Sequence, residues 1–186
     1  FSDPHPRRPR CGFACSCFTP FASAFALSLV SAMLVSGLWK TTTSSKQNME
    51  KGGGPFGAVI VKEGQIIARS GNTVALENDP TAHAEINAIR QATEYLGDFD
   101  LSGCELYSSC EPCPMCLGAV YWSHLSKIFY SASRDDAALA GFDDALFYEA
   151  FSGARPVRGI LTEQLMPAGG GRIFSEWRKI EGRVRY

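Results

Sequence analysis

Apolar residues recur along this chain with two spacings, and the switches between them lay out the elements. Phe56 to Val61 and Gln65 to Arg69 are short apolar runs joined at Lys62-Glu63-Gly64, the pattern of two strands in a hairpin, entered through the Gly52-Gly53-Gly54-Pro55 turn. The spacing then lengthens. Asp79-Pro80-Thr81 supplies helix-start chemistry, and Ala82, Ile86, Ile89, Ala92 and Leu96 recur at helical intervals up to Gly97. Glu105 to Ser108 reads as a central strand, Pro114 to Trp122 as a helix and Lys127 to Tyr130 as another strand. Further on, Val157 to Leu161 reads as a last strand, Gly169-Gly170-Gly171 as a hinge and Ile173 to Arg183 as a closing helix. Alternation of this kind predicts an α/β domain with parallel strands covered by helices. There is no internal repeat.

Composition narrows this picture. At 186 residues with 45% hydrophobic residues, the chain suits one domain. A formal net charge of −1 gives no general pull toward nucleic acid, so a small neutral ligand is the simpler expectation. The amino-terminal part stands apart. Arg7, Arg8 and Arg10 precede an uncharged run from Phe18 to Trp39, which Pro20 and several Ser and Thr residues dilute. Residues 1–44 therefore read as a leader: a targeting segment, a membrane anchor, or foreign sequence ahead of a domain starting near Ser45. The domain itself is expected to occupy residues 45–186.

The seven cysteines fall in two groups, and the second carries the chemistry. Cys110, Cys113 and Cys116 are interleaved with Pro112 and Pro114. Proline suits the first position of a helix, so a helix opening at Pro114 makes Cys113 its N-cap and puts Cys116 on its first turn. Both sulfurs then lie near exposed backbone N–H groups, which favour the thiolate, the form that binds metal. Cys110, on the extended side, reads as a small buried apolar residue. Spacing of this type fits metal ligation in a reducing, cytoplasmic setting better than a disulfide framework.

Two thiolates leave a zinc site short of ligands, and His83 is the best further candidate. Among the other histidines, His5 lies in the leader and His124 lies past the Cys helix, where a surface or capping role fits. Glu85, about 200° round an ideal helix from His83, shares a pocket with it only if the histidine occupies an irregular helix entry. His, Cys and Cys leave a fourth tetrahedral position open to water, the mark of a catalytic zinc. A carboxylate beside it, Glu85, would carry the protons.

H-x-E followed by P-C-x-x-C is the signature of zinc-dependent base deaminases, and it stands here as His83-Ala84-Glu85 and Pro112-Cys113-Pro114-Met115-Cys116. The chain resembles the cytidine and deoxycytidylate deaminase superfamily, and within it the small guanine deaminases. Further matches are 52-GGGPFGAVIV-61, 78-NDPTAHAEINAIR-90, 109-SCEPCPMCLGAVYW-122, 140-AGFDDALFY-148 and the ending from Trp177 to Tyr186. The resemblance implies a three-layer α/β/α sandwich with a mixed five-stranded sheet. It implies Zn2+ held by His83, Cys113 and Cys116, Glu85 as proton shuttle, and hydrolysis of guanine to xanthine and ammonia. It also implies that Asn72 hydrogen-bonds the base, that Asp144 recognises the purine, and that Phe56 and Trp122 line the pocket. The partner it implies is a second copy, in a homodimer whose exchanged carboxy-terminal segments bring Tyr186 of one chain to the site of the other. Family members open with an amphipathic helix, of which 41-TTTSSKQNME-50 retains only the last part.

Plainer readings stand beside these. Asp143 and Asp144 also suit a solvated pair capping a short helix, Phe56 and Trp122 suit plain core, and Asn72 suits a turn. A deaminase of the same fold could act on guanosine, cytosine or the wobble adenosine of transfer RNA, the last requiring an open pocket and a basic groove. A structural zinc module would instead close its site with Cys110 or Cys104 and leave Glu85 idle.

Overall fold

The structure, a computed structural model, describes residues 22–152 and 163–184. Helix α1 (Ala22–Glu50) leads into the hairpin β1 (Gly57–Lys62) and β2 (Gln65–Gly71), followed by α2 (Val74–Glu77) and α3 (Ala84–Leu96). Then come β3 (Cys104–Cys110), α4 (Pro114–Trp122), β4 (Lys127–Ala132), α5 (Arg134–Leu139), α6 (Ala145–Phe151) and α7 (Pro167–Trp177). The described strands form one four-stranded sheet in the order β2-β1-β3-β4. The sheet is mixed. The hairpin and the β1–β3 pairing are antiparallel, while the α4 crossover makes β3 and β4 parallel. Parallel pairing is thus confined to the strands that a helix connects. The expected fifth strand at Val157 to Leu161 lies outside the described residues.

β1 is buried on both faces, and its alternation divides the core. Ala58 and Ile60 face a cluster with Ala84, Ala88 and Ala92 of α3, Leu106 of β3 and Val120 of α4. Val59 and Val61 face the other way with Tyr107, against Leu38 of α1. The result is three layers. Full burial of Ile60, Leu101 and Leu106 contributes about 1.5–3 kcal/mol for each side chain.

α1 runs without a break through Ser45, where the sequence places the start of the domain. Its buried positions from residue 36 onward are Gly37, Thr41, Ser44, Ser45 and Asn48, a helical stripe of small and polar residues. Smallness is what the contact requires, because a Cβ on Gly57 of β1 would stand only 2.9 Å from the backbone nitrogen of Ser45. The Thr41 and Ser45 hydroxyls donate back to Leu38 and Thr41 carbonyls within the helix. Ser44 Oγ is buried without a hydrogen-bond partner. Ser44→Ala should therefore raise stability by about 1 kcal/mol, since it removes a desolvated hydroxyl and improves helix propensity. Denaturant unfolding measures this, and a loss of stability would contradict it.

Two further boundaries differ from the sequence reading. The helix expected from Asp79 begins only at Ala84, because Asp79 Oδ1 accepts from both the Thr81 backbone N–H and hydroxyl and holds a turn there. The glycines expected as a hinge, Gly169 to Gly171, lie inside α7. Among the described residues, no helix is long and apolar enough to cross a membrane.

Candidate metal centre

Two helix beginnings converge on one point. His83 is the N-cap of α3 with an extended backbone (φ −69°, ψ 155°), held by N–H donation from His83 to Thr81 O and by Ala82 O accepting from Thr73 N. Cys113 is the N-cap of α4 in a similar conformation (φ −64°, ψ 167°), with Pro114 opening the helix. Neither side chain caps its own helix. Instead His83 Nδ1 stands 3.6 Å from Cys113 Sγ and 3.5 Å from Cys116 Sγ. The three donor atoms lie within 4.8 Å of one another, and they are the group among the described residues that could hold a metal ion. Tetrahedral zinc, with Zn–S of about 2.3 Å and Zn–N of about 2.1 Å, sets an N···S edge of about 3.6 Å. The donor set fits that ion.

The extended His83 solves the angular problem. Because it precedes the first helical turn, Glu85 can share its pocket although the two are only two residues apart. Glu85 is buried, its Oε1 accepting from Ser108 Oγ at 2.9 Å and its Oε2 lying 3.5 Å from Cys116 Sγ. Burial pushes its carboxyl above the ordinary range, against the pull of the Ser108 hydroxyl. The Cys116 S–H and the His83 ring draw the Cys113 thiol down to about 4. Cys116 moves the other way, held protonated by that neighbouring thiolate and by burial.

Cys110 is buried but outside the donor group, its Sγ 3.4 Å from Ser133 O, and burial pushes its thiol up to about 11. Cys104 is buried at the start of β3. Neither supplies the further ligand a closed structural site would need. His124 is exposed in the turn after α4, with Nδ1 3.5 Å from Asp100.

The centre opens into a cavity of about 330 Å³ whose walls include Phe56, Asn72, His83, Glu85 and Asp144. Phe56 meets Phe142 edge-to-face at 4.9 Å. Asn72 is buried, its backbone N–H donating to Phe56 O and its Oδ1 accepting from Val74 N. At the start of α6 the backbone N–H of Ala145 donates to Asp143, which leaves the Asp144 carboxyl turned to the cavity without capping the helix. Burial raises the Asp144 pKa, as does the nearby Cys113 charge. Trp122 is not brought in. It ends α4, about 13 Å along the helix from Cys113, is 65% exposed, and does not line the cavity. Tyr186 lies outside the described residues.

Several contributors carried no sequence signal. Ser108, which holds Glu85, is one serine in a strand. Arg134 and Glu111 also line the cavity. Asn87 Nδ2 donates to Thr73 Oγ1 at 2.8 Å and to the carbonyls of Gly71 and Ala82, and Asn48 Nδ2 donates to those of Gly54 and Asn72. An asparagine among turn and helix residues gives no hint of such a role from spacing alone.

Residues 38–132 match the family model described as the cytidine and deoxycytidylate deaminase zinc-binding region. The guanine deaminase of Bacillus subtilis (strain 168) is 50% identical over 140 residues, covering 72% of this chain and 86% of that protein. The X-ray structure of guanine deaminase from Bacillus subtilis superposes with a TM-score of 0.77 at 45% identity, covering 81% of this chain and 97% of that one. The tRNA-specific adenosine deaminase of Bacillus subtilis (strain 168) is 38% identical over 143 residues, covering 76% of this chain and 86% of that protein.

Proposed function

We propose that this chain, which belongs to the cytidine and deoxycytidylate deaminase family, is a hydrolase that converts guanine and water to xanthine and ammonia. The observation that carries the reading is a buried carboxylate, Glu85, set 3.5 Å from a thiol of the ligand group in a cavity that also holds Asn72 and Asp144. His83, Cys113 and Cys116 would hold zinc, whose Lewis acidity brings the pKa of water near 7. Glu85 takes one proton from the attacking water to a ring nitrogen as the C2–O bond forms, then takes the second proton from that oxygen to the exocyclic amine, so that the C2–N bond breaks with ammonia leaving and the C2 carbonyl of xanthine remaining. The Ser108 hydroxyl holds one carboxylate oxygen and leaves the other facing the ligands. Asn72 supplies an amide donor and acceptor to the base, Asp144 accepts from its N–H groups, and Phe56 packs on the ring.

A transfer-RNA substrate is disfavoured by the charge of the walls. The described lining carries Glu85, Glu111, Asp143 and Asp144 against Arg134 and His83, a poor match for a polyanion. Homodimerisation with exchanged ends belongs to the same reading, supported by Ile173 and Phe174 of α7, which stand 64% and 70% exposed.

Purified protein is to be titrated with guanine, guanosine, cytosine, adenosine and a wobble-adenosine stem-loop while ammonia is followed. Guanine should turn over fastest, and the same preparation should give a dimeric mass by light scattering. Turnover of a nucleoside with guanine untouched refutes the substrate, and a monomeric mass refutes the exchange.

A further inference from the structure

We infer that Asn48 is a positioning residue that fixes the place of Asn72, and through it the affinity for the base, from a helix that contributes nothing to the described cavity wall. The inference rests on the reading of Asn72 as the residue that hydrogen-bonds the base. Asn48 lies near the end of α1 and is 8% exposed. Its Nδ2 donates to Gly54 O at 2.8 Å and to Asn72 O at 2.6 Å. These carbonyls belong to two segments that meet at the cavity, one leading to Phe56 and the other holding Asn72. The segments are also tied directly, since Gly54 N donates to Asn72 O and Asn72 N donates to Phe56 O. One buried amide thus spends both of its N–H groups on joining them.

The slot around that amide is built for it. A Cβ on Gly53 would lie 2.7 Å from Asn48 Cγ, and one on Gly71 would lie 2.6 Å from Asn48 Cβ. Side chains at either position would displace the amide. Asn48 O also accepts from Gly53 N at 2.9 Å, closing the turn back onto the helix. Asn87 holds the same stretch from α3, through Gly71 O and Thr73 Oγ1, and so relates it to His83 and Glu85. Asn48 adds a side-chain clamp between Asn72 and the segment that leads to Phe56, reinforcing from outside the cavity the two backbone bonds that join them. A residue present only as filler would have no need of two donors, whereas removing this one leaves Gly54 O without its donor.

The test is a double-mutant cycle on the full zinc-loaded chain with guanine, using Asn48→Ala, Asn72→Ala and the pair. Asn48→Ala should raise KM about tenfold, roughly what one misplaced hydrogen bond is worth, while kcat stays within about threefold and bound zinc is unchanged. Asn72→Ala should raise KM at least as far, and the pair should match Asn72→Ala alone. If Asn72→Ala raises KM and the Asn48→Ala factor persists undiminished in the pair, the positioning role is overturned while the Asn72 reading stands. If Asn72→Ala leaves KM unchanged, both fall. A lowered Tm or kcat in Asn48→Ala with wild-type KM marks a merely structural residue and overturns the inference. Should Asn48→Ala fail to fold, Asn48→Ser, which keeps one donor in the slot, is read through the same cycle against the same outcomes.

Discussion

Glu85→Ala is expected to lower kcat for guanine by about 10³-fold, the scale of general acid–base catalysis, while the protein keeps its zinc. The expectation follows from what the carboxylate touches. Its partner is the Ser108 hydroxyl, and it abuts the sulfur of Cys116 without belonging to the ligand group. Removing it leaves His83, Cys113 and Cys116 in place. Glu85→Gln provides an isosteric control, since it keeps the volume and a hydrogen bond to Ser108 but cannot exchange a proton at the same oxygen. Metal content by elemental analysis and ammonia release should therefore separate cleanly in both variants. Retained turnover in either one refutes the shuttle, and zinc lost along with activity would make Glu85 a support of the ligand site.

Removal of the metal should have the second large effect. Protein dialysed against a chelator should show no measurable turnover and regain it with added zinc. It should also melt lower by roughly ten degrees: an ion at a thousand times its Kd stabilises by about 4 kcal/mol, and each kcal/mol moves Tm by about 2–4 °C at this size. The thiol pair adds a pH dependence with a definite sign. Cys113 is ionised down to about 4, whereas Cys116 keeps its proton beside it. Zinc needs both thiolates, so uptake expels the Cys116 proton and zinc affinity should rise with pH. Calorimetry in buffers of different ionisation enthalpy counts that proton. Full activity after exhaustive chelation would remove the metal from the reaction.

The ligand chemistry was legible because spacing and residue type coincide. Proline after Cys113 places a helix start, the helix start places Cys116, and two thiols call for a histidine. What spacing could not give was support from residues whose partners are distant in sequence. Ser108 reaches Glu85 across 23 positions and Asn48 reaches Asn72 across 24. α1 was obscured for a different reason. Hydrophobic periodicity detects apolar stripes, and the buried stripe of this helix is Gly37, Thr41, Ser44, Ser45 and Asn48, with Gly37 against Tyr107, Thr41 and Ser45 against Gly57, and Asn48 against Gly53 and Gly71. That is why Ser45 looked like a beginning. The resemblance implies a pocket role for Trp122, yet the helix that starts at the cavity with Cys113 carries the tryptophan away from it.

The paired cap positions have a cost outside the chemistry. An ordinary serine or aspartate at a helix N-cap is worth about 1 kcal/mol, and this fold forgoes it twice, since neither His83 nor Cys113 makes a side-chain capping hydrogen bond at the start of its helix. A bound ion would tie those two ends more firmly than the contacts of His83 with the two sulfurs do alone. In its absence both first turns should fray, so the hydrogen-exchange protection of these amides reports whether the centre is loaded, with no substrate required.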